Sequence, residues 1–173
     1  MTKINSISGQ IADFALNLRY EDIPPQIISY AKMLILDSFG CALLSMDEPH
    51  AQEVRRALEE LPNRPEATLW GSDEKLSVEH AAIYNACLIH GQDYDDTHAG
   101  SIVHPSSSVL TSAVTLGEAY GANGRELICS MIAAYETILR LGNACCGKMH
   151  THFFHPTEIF APFAAIVIAA RLE

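Results

Sequence analysis

Apolar residues recur every three or four positions along most of the chain, and this spacing constrains the fold more than any other feature. Residues three and four apart share one face of a helix, so the pattern predicts amphipathic helices. The only strand-like run is ATLWG, at residues 67–71. The sequence therefore predicts an all-α, bundle-like fold as a single helical domain over residues 1–173. Helices are expected over residues 7–18, from Pro25 past Leu43, over 49–61, from Ser77 onward, over about 105–120, over 124–142 and from 156 to the end.

Two of these helices carry apolar residues on nearly every side. The helix that begins at Pro25 is expected to be central and almost fully buried. The last helix contains IFAPFAAIVIAARL and has no Gly, Asn or Pro to end it, so it is expected to need neighbours on most of its sides. The chain is accordingly expected to be truncated, and to pair with further copies as a homo-oligomer or with a complementary C-terminal chain.

Charge and composition exclude several classes of protein. The chain has 11 basic against 21 acidic residues and a formal charge of −10, which argues against nucleic acid as a partner. The longest apolar run, Ile159–Ala170, contains Pro162 and falls short of the roughly 20 residues needed to cross a bilayer. No membrane span is therefore expected. The N-terminal MTKINSISGQIADF does not have the pattern of a secretion signal, so a cytoplasmic location is expected.

The five cysteines offer little chemistry. Their odd number makes a disulfide framework improbable. The adjacent pair Cys145–Cys146 has no C-x-x-C partner, which argues against a thiolate zinc site. Small, reduced core residues are the expected role.

Six of the eight histidines lie between His90 and His155, and the same stretch opens with the acidic cluster HGQDYDDTH. If this cluster continues a helix, His90, Asp93 and Thr97 share one face, while Asp95 points elsewhere. Crowded carboxylates are a usual setting for shifted pKa values. An acidic helix end is the plainer alternative.

Two tripeptides, His104-Pro105-Ser106 and His155-Pro156-Thr157, repeat one design. Each places an imidazole before a proline that suits a first helical turn, followed by a hydroxyl residue. A helix N-terminus has unpaired N–H groups and partial positive charge, so it binds carboxylates or phosphates readily. The two together predict a site that holds a polyanion, although His-Pro can also simply start a helix.

A metal site is a weaker prediction. Mixed nitrogen and oxygen ligands are available, but their spacing matches neither H-E-x-x-H nor a calcium loop, so no metal is expected. The chain also lacks G-x-S-x-G, P-loop and G-x-G-x-x-G motifs. The candidate ligands weighed here are His90, Asp93, Asp96, His98 and His104.

Four segments together resemble the MmgE/PrpD family. They are LILDSFGCALL, HGQDYDDTH, HPSSSVLTSAVTLGEAYGANGRELICSMIAAYE and FFHPTEIFAPFAAIVIAARL. Members of the family include 2-methylcitrate dehydratase, cis-aconitate decarboxylase and an iminodisuccinate epimerase. The resemblance implies the N-terminal part of a large helical domain, a smaller α+β lid domain outside this sequence, usually a homodimer, and chemistry without a metal or organic cofactor.

The resemblance also assigns site residues. The family's acidic motif falls on Asp93 and Thr97, and its two His-Pro steps fall on His104 and His155. The family's downstream lysine and its lid residues have no counterpart here. Either histidine is expected to transfer a proton while the other binds a carboxylate. The predicted catalytic residues are His104, His155 and Asp93, and the predicted substrate-binding residues are Thr97, Asp96, His90, Ser106 and Thr157.

The function that the resemblance implies is a lyase fragment of the 2-methylcitrate dehydratase type, acting on a small tricarboxylate or dicarboxylate. A cis-aconitate decarboxylase or an iminodisuccinate epimerase is the enzymatic alternative. A non-catalytic, truncated helical module is the alternative from another class. Little turnover is expected from this chain alone, because the lysine and the lid lie outside it.

Overall fold

A computed structural model describes residues 6–145 and 147–173. The prediction about a secretion signal falls partly on residues 1–5, and the prediction about Cys145–Cys146 falls partly on Cys146, so both lie in part outside the described residues. The all-α fold class is confirmed. The described helices are α1 (Ile7–Asn17), α2 (Pro25–Ser45), α3 (Pro49–Glu59), α4 (Val78–His90), α5 (Ser106–Tyr120), α6 (Gly124–Ala144), α7 (Lys148–Thr151) and α8 (Pro156–Leu172); a 3₁₀ turn spans Tyr20–Asp22, and two short strands are β1 (Ala67–Thr68) and β2 (Lys75–Leu76).

Local signals in the sequence explain where several helices begin and end. The Ser6 hydroxyl accepts the Gly9 N–H at the start of α1. Asn123 caps α6 in a capping box with Glu126, which pairs two backbone N–H groups. Gly121 ends α5 in the left-handed conformation, at φ 70°, which favours glycine. The helices expected over about 105–120 and over 124–142 are therefore separated at this glycine.

The predicted strand-like run forms one edge of a small hairpin. β1 pairs antiparallel with β2, Ala67 opposite Leu76. The hairpin is tied to α4 by the fully buried Asn85, whose amide accepts the Trp70 N–H and donates to the Thr68 carbonyl, both at 3.0 Å. These bonds satisfy backbone groups that pair with no strand neighbour.

The core is built from α4, α5, α6 and α8. α5 packs against both α4 and α8, and α8 packs against α6. Their facing surfaces bury Leu88, Leu110, Ile138 and Ile168 completely. This arrangement holds α4, α5 and α8 side by side, and their ends carry the predicted site.

The prediction that α2 is central and nearly fully buried is wrong. α2 packs mainly against α4, through a face of small residues that includes Ala31, Ser38 and Ala42. The opposite face is open, and Met33 and Leu36 are 65% and 75% exposed. The apolar pattern continues around the helix, but the described chain covers only one side of it.

α2 is also long and apolar enough to meet the criteria for a membrane-spanning helix by length and composition. The estimate from the longest uninterrupted apolar run missed this, because Lys32 and Asp37 interrupt α2. Helices that pack inside soluble proteins meet the same criteria. The absence of a membrane partner and the cytoplasmic location stay predictions.

α8 has neighbours on part of its surface only. It packs against α5, α6 and α1, and it buries Phe160, Ala164 and Ile168. Phe163 and Ile166 remain exposed along the outer side. Self-association through this surface stays a prediction.

Candidate functional site

The segment HGQDYDDTH does not continue a helix, contrary to the expectation from its spacing. α4 ends at His90, and a loop runs from there to α5. Asp93 lies in this loop with φ 55°, a left-handed conformation that an α-helix cannot include. Spacing rules for a helix therefore do not apply beyond His90.

The incorrect helix prediction affects Asp95 most. The helical reading directed Asp95 away from the site, and the structure instead buries its side chain completely, at 0% exposure, between two histidines. Its Oδ1 lies 3.0 Å from Nδ1 of His90 and 3.2 Å from Nδ1 of His104. A buried carboxylate is costly without partners, and the two imidazoles supply them.

The hydrogen bond between His90 and Asp95 also changes the proton affinity of His90. It raises the pKa of His90 above the ordinary histidine value, and the charge on Asp95 adds to this effect, against desolvation by burial. Asp95 thus stabilises a proton on His90 relative to an imidazole in water.

Three imidazole rings form one cluster. The ring of His90 lies 4.9 Å from that of His104 and 5.9 Å from that of His155, centroid to centroid. Asp93 Oδ1 lies 3.7 Å from His104 Nε2, and Thr97 Oγ1 lies 3.3 Å from His104 Nδ1. The structure thus brings these five predicted residues together, while their roles in binding or catalysis stay predictions.

The ends of three helices position the rings. His90 is the last residue of α4, and His155 is the N-cap of α8, with Pro156 in the first turn. His104 stands directly before the Pro105 N-cap of α5. Two helix N-termini, with their partial positive charge, therefore meet at this cluster.

The two His-Pro steps are joined by a hydrogen bond. The Thr157 hydroxyl accepts the backbone N–H of His104 at 2.9 Å. Thr157 is buried and stands at the start of α8, so α8 fixes the backbone that carries His104. The sequence pointed to Thr157 as a substrate ligand, and this backbone contact gives it a structural role as well.

Asp96 and Ser106, two predicted substrate ligands, contact α6. The Asp96 carboxylate accepts the Ser106 N–H at 3.1 Å, and the Ser106 hydroxyl shares a short hydrogen bond with the Tyr135 hydroxyl. Burial raises the pKa of both Asp96 and Tyr135 above their ordinary values. Asp96 and Tyr135 line a cavity of ≈ 210 Å³ beside α2, and Thr97, which contacts His104, lines the same cavity. Their part in substrate binding stays a prediction.

The remainder of the loop is pinned against α6. His98 donates its backbone N–H to Val103, and its ring Nδ1 lies 2.8 Å from the Ser101 hydroxyl. Ser101 packs so closely on Gly142 that a Cβ there would lie 2.5 Å from the Ser101 Cβ. His98, a candidate metal ligand from the sequence, is thus hydrogen-bonded within the loop. Gly142 lets the loop approach α6 closely, and no local motif pointed to it.

A cleft of ≈ 270 Å³ opens beside the rings, between α4, α5 and α8. Cys87, His90, Ser108, Thr157 and Glu158 are among the residues that line it. Hydroxyl groups and an imidazole can hydrogen-bond a carboxylate there, whereas the charge on Glu158 opposes one. A ligand in this cleft touches the cluster at His90.

The cluster can support two kinds of chemistry. Imidazoles exchange protons near neutral pH, and helix N-termini attract anions. The same side chains also offer metal ligands, because atoms of His90, Asp93, Asp95 and His104 all lie within 4.8 Å of one another.

Comparison with known proteins adds a family and several relatives. The family model for the MmgE/PrpD N-terminal domain matches residues 9–173. The chain is 30% identical over 175 residues to a mouse cis-aconitate decarboxylase, covering 97% of this chain and 36% of that protein. It is 27% identical to an Aspergillus terreus cis-aconitate decarboxylase, covering 83% of this chain and 30% of that protein. It is 22% identical to the cis-aconitate decarboxylase-like protein oryM of Aspergillus oryzae, covering 99% of this chain and 37% of that protein. The chain thus spans about a third of the length of these relatives.

Proposed function

Because the chain belongs to the MmgE/PrpD family, we propose that its histidine cluster is part of a lyase site, where it binds a small polycarboxylate and moves a proton at carbon next to a carboxylate. One observation carries the proposal: the buried Asp95 contacts Nδ1 of both His90 and His104. This arrangement fixes two imidazoles at the helix ends, as proton transfer to a small molecule requires.

The substrate that we propose is a tricarboxylate of the cis-aconitate type. The names of the relatives support this choice, since they are cis-aconitate decarboxylases from fungi and mammals. The two helix N-termini that meet at His104 and His155 support it as well, because each can hold one carboxylate. 2-Methylcitrate, the first expectation from the sequence, is the competing substrate that the test must include.

The proposed reaction is a decarboxylation with proton replacement. The bond between a carbon and one carboxylate breaks, and CO₂ leaves. The electron pair of that bond is delocalised over the unsaturated carbon chain that remains, until one carbon of the chain takes up a proton. We assign this proton to Nε2 of His104, because Nδ1 of that ring faces Asp95 and Thr97. His155 and the first turn of α8 bind a second carboxylate, and Asp93 with Thr97 orients His104 and the substrate.

Calorimetric titration of the chain with cis-aconitate and with 2-methylcitrate tests the proposal. We expect saturable binding of cis-aconitate, and an affinity lower by about tenfold or more in His155→Gln, because a charge-assisted hydrogen bond is worth about 1.5–3 kcal/mol. His80→Gln is the matched control, since His80 lies at the opposite end of α4 from His90 and contacts Asn63.

Loss of ultraviolet absorption together with release of CO₂ measures turnover in the same samples. We expect His104→Gln to abolish whatever turnover the chain shows while leaving cis-aconitate binding within a few fold. Tighter binding and dehydration of 2-methylcitrate would replace the decarboxylase proposal by a dehydratase. Binding of neither acid would favour a non-catalytic helical module.

A further inference from the structure

We infer that His90, Asp95 and His104, with Asp93 as a fourth ligand, form a binding site for a divalent transition-metal ion such as Zn²⁺. The inference goes beyond the proposed function, and only its consequence for substrate binding rests on that function. It stands on the positions of four side chains rather than on a sequence motif.

The separations between the donor atoms fit a metal site. Ligand atoms about 2.0–2.2 Å from one zinc ion lie roughly 3–3.5 Å from each other. Asp95 Oδ1 lies 3.0 Å from His90 Nδ1 and 3.2 Å from His104 Nδ1. A ligand atom of Asp93 lies within 4.8 Å of those of the other three residues. The Asp93 side chain is 80% exposed, so it can rotate from its position beside His104 Nε2 toward an ion on Nδ1.

The charge of the cluster also favours a cation. Asp93 and Asp95 contribute two carboxylates, and the ion pairs described for them are with histidines alone. Imidazoles bind a metal in their neutral form, so metal binding releases the proton that Asp95 stabilises on His90. The four side chains then carry two negative charges, one of them fully buried. A divalent ion neutralises this charge, which two hydrogen bonds only offset in part.

The ligand types indicate which ions fit. Imidazole nitrogens mixed with carboxylate oxygens suit borderline ions such as Zn²⁺ and Co²⁺, whereas Ca²⁺ and Mg²⁺ prefer oxygen ligands throughout. Three of these residues, His90, Asp93 and His104, were candidate ligands from the sequence, but no metal was expected because their spacing matches no ligand motif. Asp95 was expected to face away. The loop that follows α4 removes both objections.

The site would act as an inhibitory one under the proposed function. An ion on Nδ1 of both rings replaces the protons that these atoms share with Asp95, and it fixes His90 and His104 as ligands. The positive charge on Nδ1 lowers the proton affinity of Nε2 in the same ring, so it opposes the proton transfer that we assign to Nε2 of His104. Zn²⁺ is accordingly expected to lower turnover of a tricarboxylate at concentrations near its dissociation constant.

Titration of the chain with Zn²⁺ by calorimetry, in a buffer that does not chelate metals, measures the binding directly. We expect one saturable site, with an affinity lower by about tenfold or more in His104→Gln and in Asp95→Asn, and unchanged in His80→Gln. Co²⁺ added in place of Zn²⁺ is expected to give visible absorption of a mixed nitrogen and oxygen site that the His104→Gln variant loses.

Asp95 is buried, so its variant can fail to fold, and a measurement on the unchanged chain covers that outcome. Imidazole ¹⁵N resonances of His90 and His104 are expected to shift together on addition of Zn²⁺, with those of His150, in α7, and of His152, which follows α7, unaffected. Shifts confined to His150 and His152, or no saturable binding, would overturn the metal site. Neither result bears on cis-aconitate binding without metal, which tests the proposed function separately.

Discussion

The two His-Pro steps begin with the same tripeptide design and end in different environments. The side chain of His104 is 18% exposed, contacts Asp95 and Thr97, and has its backbone held by Thr157. His155 is exposed, and among the described residues its ring has a contact with His90 but no hydrogen bond. The first tripeptide thus gives an imidazole that is fixed by hydrogen bonds, which we call the held ring. The second gives an exposed imidazole that is not fixed in this way, which we call the free ring.

The difference comes from the chain that precedes each step. His104 follows a loop pinned to α6 at Gly142 and closed by the backbone pairing of His98 with Val103. His155 follows Phe153 and Phe154, both exposed, the first with φ 63°. A local motif places an imidazole at a helix start, but the preceding segment decides whether that ring is part of the folded structure or is available to a ligand.

The largest expected effect of breaking this contrast is at Asp95. Asp95→Asn is expected to lower the free energy of unfolding by about 2 kcal/mol, because it removes a buried charge that two imidazoles hydrogen-bond. Urea denaturation followed by circular dichroism measures the change. Asp93→Asn is the control, since that side chain is largely exposed and Asn tolerates a left-handed backbone. Equal losses in the two variants would contradict the burial argument.

The next effect compares the histidines themselves. His104→Gln is expected to cost about 1.5 kcal/mol of stability, since it disturbs the partner of a buried carboxylate. His155→Gln is expected to change stability by less than about 0.5 kcal/mol, as is usual for exposed positions. Thermal unfolding of both variants checks the order. A larger loss in His155→Gln would reverse our assignment of held and free rings.

Thr157 offers a third way to sharpen the comparison. Thr157→Val is expected to lower stability by about 1 kcal/mol, because the His104 N–H loses its acceptor in a partly buried setting. Thr151→Val is the matched control, since the Thr151 hydroxyl bonds within exposed α7. Chemical denaturation measures both variants. No difference between them would mean that α8 does not fix the backbone of the first step.

The smallest expected effect concerns Gly142. Gly142→Ala is expected to lower stability by about 0.5 kcal/mol, because the clash with Ser101 exceeds what alanine gains in a helix. Gly40→Ala in α2 is the control, since its Cβ would meet nothing within 4 Å, and it is expected to raise stability by about 0.5 kcal/mol. Urea denaturation of the two variants gives the signs. A gain in stability in both variants would show that the loop at Ser101 moves away from the added methyl group at little cost.

Local sequence signals were enough for most of the fold. Helix positions follow from spacing and from caps such as Ser6 and Asn123, which act over three or four residues. The burial of α2 could not be predicted in this way, because an apolar helix face does not say what covers it. Its exposed apolar residues, such as Met33 and Leu36, cannot be distinguished by residue type from buried ones.

The candidate site was also predicted only where local signals in the sequence were sufficient. The His-Pro steps pointed to His104 and His155, since proline at a helix start is a local signal. Asp95 was missed because the helix was extended through Gly91, although a glycine directly after the last apolar turn is a signal for a helix end and caps α4 here. The backbone at Asp93 is left-handed, a conformation that Asp adopts more often than most residues, but this preference is too weak to predict it at one position.

Imidazole ¹⁵N resonances during a titration of metal-free protein with cis-aconitate test the central claim, that His90, His104 and His155 form one polycarboxylate site. We predict that the three rings respond together with a single apparent affinity, while His80 and His152 do not respond. A response confined to His155, or one spread over all the histidines, would contradict the claim that the cluster acts as one site.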